Sequence, residues 1–284
     1  MLTDKIISQL SADFHQQKAV TIFCKALVVF TLFRVLALWS ISGTIAQYQH
    51  LSWPGSWFGK LLFLPSVLAH EYVTVIYSIF LILLVVGLFI PWSYFSAAVF
   101  FWIVANLYRI TLPITSGADQ THFMLSLIAI GLATVPRMDT PRSHTLQIIV
   151  YNATVLIAQV IVVGIYFLSG WDKLITPSWR TGEAFQLIAN LQHMIHPFFQ
   201  PLLTNTTVNL VLAWCTIAFE LTFVILVWFR RTRVYILAIG VIFHLIIAVA
   251  LNLYSFSLIM IVSYMIFLKD GDYAFVLARR GVNR

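Results

Sequence analysis

The 284-residue chain is 61% hydrophobic and only 10% charged, with a mean hydropathy of +0.92, which excludes an ordinary soluble domain and points to an integral membrane protein. Eight crossings of about 20 apolar residues each would use about 160 positions, so no large catalytic ectodomain is expected. The net charge of +7 reads as a topology signal at a membrane face, and nucleic acid is not an expected partner.

Apolar runs fall at about 20–46, 72–91, 94–113, 120–136, 145–169, 206–229, 234–252 and 254–268. The pattern predicts an all-α polytopic bundle of about eight transmembrane helices, forming a single domain over 1–284 with its core at about 20–268. The first run is too long for a signal-peptide apolar region and no A-x-A pattern follows it, so it is expected to be retained as an anchor. Pro91, Pro113, Pro136, Pro141 and the cluster Arg230, Arg231 and Arg233 punctuate the runs, and a tight turn is expected near Asn252. Cys24 and Cys215 lie in apolar runs without metal-ligand or redox spacing, so no thiol chemistry is expected.

With short cytoplasmic tails at both ends, Lys5, Lys18, Lys25, Arg137, Arg142, Arg230, Arg231, Arg233, Lys269, Arg279, Arg280 and Arg284 fall inside, 12 of the 17 basic residues. Only Lys60, Arg109, Lys173 and Arg180 fall outside, and Arg34 lies within the first run, so this orientation is the expected one.

Two outer connections are longer than turns. Residues 47–71, with Trp53, Pro54, Gly55 and Trp57, read as an interfacial or re-entrant segment. In 170–205, Thr176-Pro177 suits an N-cap followed by the first helical position, and Ala184, Leu187, Ile188, Leu191 and Ile195 recur at helical spacing. An outer interfacial helix with its apolar face toward the bilayer is predicted there.

Ionisable residues at membrane depth need a partner, a wet cavity or a function. Glu220 in the sixth run reads either as a partner of Arg34, as a hydrogen-bonded acid, or as a site residue. His244 in the seventh reads as a neutral residue bonding a neighbouring helix or as part of a polar site. Asp119 at the outer start of the fourth run suits an N-cap, and His122 stands one turn on. His193 and His196 have H-x-x-H spacing, but without a third ligand, and with Pro197 following, no metal site is expected.

The most informative stretch is Tyr166-Phe167-Leu168-Ser169-Gly170-Trp171-Asp172-Lys173-Leu174-Ile175-Thr176-Pro177-Ser178-Trp179-Arg180-Thr181-Gly182. Physically it is a helix leaving the bilayer, a charged pair at its rim and a tryptophan-anchored turn. Lys173 is then either a snorkelling cation or a partly dehydrated amine able to act as a base, with Asp172 beside it favouring the charged form.

This stretch resembles the signature shared by vitamin-K-dependent gamma-carboxylases and the bacterial HTTM (horizontally transferred transmembrane) family. The matching residues are Tyr166, Ser169, Gly170, Lys173-Leu174, Trp179 and Gly182, and the resemblance extends to Glu220, Arg230-Arg231 and His244. It implies that Lys173 is a base and His244 a second catalytic residue, with Asp119, His122, Asp172, Trp179, Arg180 and Glu220 lining the site or contacting substrate. A reduced quinone is implied as cofactor by the resemblance alone. The carboxylases carry Lys-Lys where this chain has Asp172-Lys173, and they add a large extramembrane recognition domain. Together with Gly117-Ala118-Asp119-Gln120, the short all-membrane form is more similar to the bacterial proteins that mature sporulation-delaying-type peptide toxins.

The resemblance therefore implies a maturation factor or a carboxylase-like peptide-modifying enzyme. It would sit in a bacterial cell membrane, act on a secreted peptide at the outer face, and work with a soluble or membrane-associated helper. The alternatives are a binding or transport protein for a quinone, lipid or apolar peptide, and a structural subunit of a membrane complex.

Overall fold

The computed structural model describes residues 17–41, 64, 71–110, 117–134, 144–191 and 195–269, with helices and no strand among them. Each of the eight apolar runs carries a helix. In chain order these are α1 (Gln17–Trp39), α2 (Val73–Phe89), α3 (Tyr94–Ile110), α4 (Gly117–Gly131), α5 (His144–Ile175), then the short α6 (Pro177–Thr181) and α7 (Glu183–Ala189), and α8 (Thr206–Leu226), α9 (Arg230–Leu251) and α10 (Tyr254–Ser263). Stretches of 3-10 helix follow at Leu132–Thr134, Gln200–Thr204 and Tyr264–Phe267. Four helices, at Ala19–Trp39, Gln147–Ile175, Thr206–Leu226 and Arg230–Leu251, are long and apolar enough by themselves to cross a bilayer.

The distribution of side chains is that of a protein solvated by lipid. Phe89 and Phe95 are 84% and 77% exposed, while Asn106, Asp119, His122, Asn209, Glu220 and His244 are buried. Hydrocarbon accepts the apolar residues, and the polar groups must find partners inside the bundle.

The chain forms two compact units, one comprising residues 1–156 with 269–284 and the other residues 157–268. In the first, Lys25 near the start of α1 donates to the carbonyls of Gly87 (2.7 Å) and Ile90 (2.6 Å) at the end of α2. The two helices are therefore antiparallel, and the ammonium caps carbonyls that the helix leaves without partners. Trp92 Nε1 donates to the Ala129 carbonyl (3.1 Å), which ties the start of α3 to the end of α4. The 47–71 segment read as interfacial lies outside the described residues except at Leu64 and Glu71.

The second unit begins with the last 19 residues of α5, Ile157–Ile175. The fifth apolar run breaks at Ser169-Gly170, yet α5 continues through Gly170 to Ile175. A helical glycine costs about 1 kcal/mol against alanine, and here close packing on α8 offsets it. Thr176 occupies the N-cap of α6 with Pro177 in its first turn, at the expected positions, although the Thr176 side chain makes no capping bond. The surface helix expected to reach Ile195 stops at Ala189. Ala189 instead packs with Ile195 and Leu203, beside Ile188, Leu212 and Leu251, while Leu187 is exposed.

Asn205 caps α8, its side chain accepting from the amides of Thr207 (3.0 Å) and Val208 (3.1 Å). Arg233, in the basic cluster, is buried and donates to the carbonyls of Val227 (3.1 Å) and Trp228 (3.3 Å). It thus joins the end of α8 to the start of α9, whereas Arg230 and Arg231 are exposed. The turn expected near Asn252 is present: Asn252 closes α9 in the left-handed region, at φ 55°, a conformation that asparagine tolerates better than most residues.

Candidate functional site

Tyr166, Ser169, Gly170 and Lys173 follow the i, i+3, i+4, i+7 spacing that places residues on one helix face. In the second unit that face of α5 meets α8. Gly170 stands at a close approach of the two helices: a Cβ there would lie 3.0 Å from Glu220 Cβ and 3.0 Å from Leu221 Cδ2. Further along, a Cβ on Gly182 would lie 2.6 Å from the Leu210 backbone nitrogen. As the numbering rises from 170 to 182 the facing residues fall from 221 to 210, so α8 runs antiparallel to α5 and on past its end, alongside α6 and α7. Gly182 also closes α6 at φ +82°, which glycine adopts without a Cβ clash.

The close approach brings Lys173 onto Glu220. Its Nζ is 3.0 Å from both Oε1 and Oε2 and also donates to Ser169 Oγ, while Ser169 Oγ donates to Glu220 Oε1 (3.1 Å). The Lys173 and Glu220 side chains are only 15% and 8% exposed. Trp179 covers the ammonium, its ring centroid 5.1 Å from Nζ. Lys173 is thus held inward beneath α6 and is not a cation reaching out to water. Its carboxylate partner is Glu220; the neighbouring Asp172 is exposed.

A second polar cluster occupies the same unit. Tyr166 hydroxyl is 2.6 Å from His244 Nε2 and also bonds the Tyr264 hydroxyl. Aromatic rings surround it, with Phe223 tilted against it at 4.1 Å and Phe219 edge-on at 5.8 Å from the Tyr166 ring. Ser169, Lys173 and Glu220 of the first cluster and Tyr166 and His244 of the second line one cavity of ≈ 510 Å³ whose other walls include Trp179, Phe185, Phe219, Phe243, Phe256 and Met260. A largely apolar chamber with a few convergent polar groups is the usual form of a small-molecule site.

The expected site residues therefore divide. Lys173, Trp179, Glu220 and His244 line the cavity; Asp172 and Arg180 are exposed and do not. Asp119 and His122 belong to the first unit. There Asp119 forms a buried ion pair with Arg34, which corrects the reading of Arg34 as the partner of Glu220. Asp119 is the third residue of α4, in its first turn, and its carboxylate is engaged across helices. His122 Nε2 lies 2.8 Å from Thr31 Oγ1, and because that hydroxyl already donates to the Leu27 carbonyl, the histidine is the donor. Among the described residues no group of three or more His, Cys, Asp or Glu is placed to hold a metal ion, and His193 lies outside them.

Three residues of the site were not singled out from sequence as site residues. Ser169 and Tyr166 had a signal in their helical spacing with Lys173. Tyr264 had none, being one aromatic residue among many in an apolar run.

A family model described as the HTTM domain matches residues 23–271. No curated protein and no solved structure matches the chain.

Proposed function

From the premise that the chain belongs to the HTTM family, we propose that it is a membrane-embedded maturation factor with carboxylase-like chemistry, acting on a secreted peptide at the outer face of a bacterial cell membrane. The observation that carries the proposal is the Lys173–Glu220 pair inside an apolar cavity. A proton can pass from the ammonium to the carboxylate over a 3.0 Å hydrogen bond without leaving net charge in the chamber. The resulting neutral amine can accept a proton from a bound substrate, which makes Lys173 the base, Glu220 its proton partner and Ser169 the group that orients both. Trp179 would cover the amine and keep water from it, and His244 would contact the ligand from a second wall. The cavity's apolar walls suit the reduced quinone implied by the family resemblance; when bound, its oxygenation by dioxygen would supply the driving force for proton removal.

The test is mass spectrometry of a co-encoded secreted peptide from cells with and without this protein, and with Lys173→Met. Maturation by turnover predicts a mass change or a large gain in yield that the variant loses although it inserts normally. An unchanged product mass and yield in cells lacking the protein would overturn the maturation reading.

A second reading, a binding or transport protein for a quinone, lipid or apolar peptide, is favoured by the predominance of apolar residues in the cavity wall. It predicts that Lys173→Met retains function.

A further inference from the structure

We propose that His244 is the anchor for the carbonyl oxygen of an apolar molecule drawn from the bilayer into this cavity. The argument begins with the hydrogen atoms. Tyr166 hydroxyl has one proton and two neighbours, His244 Nε2 and the Tyr264 hydroxyl. If Tyr264 donates to Tyr166 and Tyr166 donates to Nε2, every hydroxyl proton in the chain of three is used, and the neutral imidazole carries its own proton on Nδ1. The opposite direction would leave the Tyr264 proton without an acceptor as well as Nδ1 without a donor. The first arrangement is favoured because each buried polar atom without a partner is costly.

In that arrangement Nδ1–H is a donor, on a side chain that is 1% exposed and lines the cavity, and it has no hydrogen-bond partner among the described residues. A buried donor without a partner, on a residue that lines an apolar chamber, calls for an acceptor oxygen. Water is a poor candidate, since an ordered buried water makes about three hydrogen bonds and Nδ1–H supplies one. A carbonyl oxygen on an apolar body needs only that one.

The route of entry points the same way. Cys215 on α8 and Ile239, Ile242 and Ile246 on α9 line the cavity and are exposed. These exposed lining residues lie on two of the four helices that, among the described residues, are long and apolar enough to cross a bilayer. Whatever enters there comes from the hydrocarbon phase. A lipid ester carries the required carbonyl, and so does a membrane quinone in its oxidised form. The inference concerns the same cavity as the proposed function, but it rests on an apolar ligand entering, not on Lys173 acting as a base.

The experiment uses the full chain in detergent micelles and follows its thermal unfolding midpoint with dodecane, 2-dodecanone or methyl laurate added. A ligand that binds the folded state raises the midpoint with its concentration. The ketone and the ester are expected to raise it and dodecane to do so little. His244→Leu should weaken ketone binding at least tenfold, and His244→Asn, whose amide nitrogen takes the place of Nδ1, should restore most of it. Tyr166→Phe, which frees the imidazole to adopt either tautomer, should weaken the ketone several-fold and leave dodecane unchanged, a check that does not depend on His244→Leu folding.

Lys173→Met should still bind the ketone, so failure of the base reading and failure of this one give different results. Native mass spectrometry of protein taken from membranes separates the two sources, an acyl ester or a quinone; a bound molecule lacking a carbonyl would contradict the inference. Equal stabilisation by dodecane and 2-dodecanone, or wild-type ketone affinity in His244→Leu, would overturn it.

Discussion

Gly170 and Glu220 face one another across a close approach of α5 and α8, such that a Cβ on the glycine would lie 3.0 Å from the glutamate Cβ. The missing side chain is what lets Lys173, one turn further along, reach the carboxylate. Gly170→Leu should therefore separate the helices, break the Lys173–Glu220 contact and abolish peptide maturation. Overpacking of this kind costs about 1–3 kcal/mol, so a lowered thermal midpoint should accompany the loss. Maturation at the wild-type level would show that the close approach is dispensable.

Breaking the buried pair on one side should cost more than removing it altogether. Glu220→Leu leaves the Lys173 ammonium without its counter-charge, a change worth about 3–5 kcal/mol in buried pairs. The double variant Lys173→Met with Glu220→Leu should recover most of that stability, because two apolar side chains replace two desolvated charges. Thermal unfolding of the four proteins in one detergent measures the coupling. Additive losses would mean that the two residues act independently.

For the proposed proton transfer, Lys173→Ala should lose maturation while expression stays near normal. Lys173→Arg should fail as well, since a guanidinium keeps its proton under working conditions and cannot accept another. Product mass after expression of each variant is the measurement. Activity in the arginine variant would reduce the role of Lys173 to that of a fixed positive charge.

Gly182→Ala should destabilise the junction of α6 and α7. Its φ of +82° would cost an alanine about 1–2 kcal/mol, and the new Cβ would meet the Leu210 backbone nitrogen at 2.6 Å. Backbone cannot move aside as a side chain can, so the thermal midpoint should fall clearly. An unchanged midpoint would mean that α6 can shift away from α8 at little cost.

The proposed orientation places α6 outside the membrane. Thr181 is exposed, and Thr181→Cys in a Cys215→Ser background should react with a membrane-impermeant maleimide on intact cells. Labelling only after lysis would reverse the orientation.

Hydropathy alone was enough to mark a helix in each of the eight apolar runs, because burying backbone amides and carbonyls in hydrocarbon requires helices wherever the side chains are apolar for long enough. It marked Glu220 and His244 for the same reason: a titratable group inside such a run has to be accounted for, whereas Lys173 stood out at the rim of the fifth run and through the family resemblance. Local turn chemistry was legible as well, at Thr176-Pro177 and at Asn252. What the chain order could not reveal was pairing. Arg34 was the one cation the sequence suggested for Glu220; the pairing with Lys173 was made instead by a glycine at 170 that allows α5 to close on α8, and by α4 presenting Asp119 to Arg34. In water one face of a helix is polar and announces which side packs. In lipid both faces are apolar, so the packing face of a spanning helix is hidden from periodicity. The tertiary structure alone therefore decided that Tyr264 joins Tyr166 and His244, that Lys173 is turned inward, and that α5, α8, α9 and α10 contribute to the walls of one cavity.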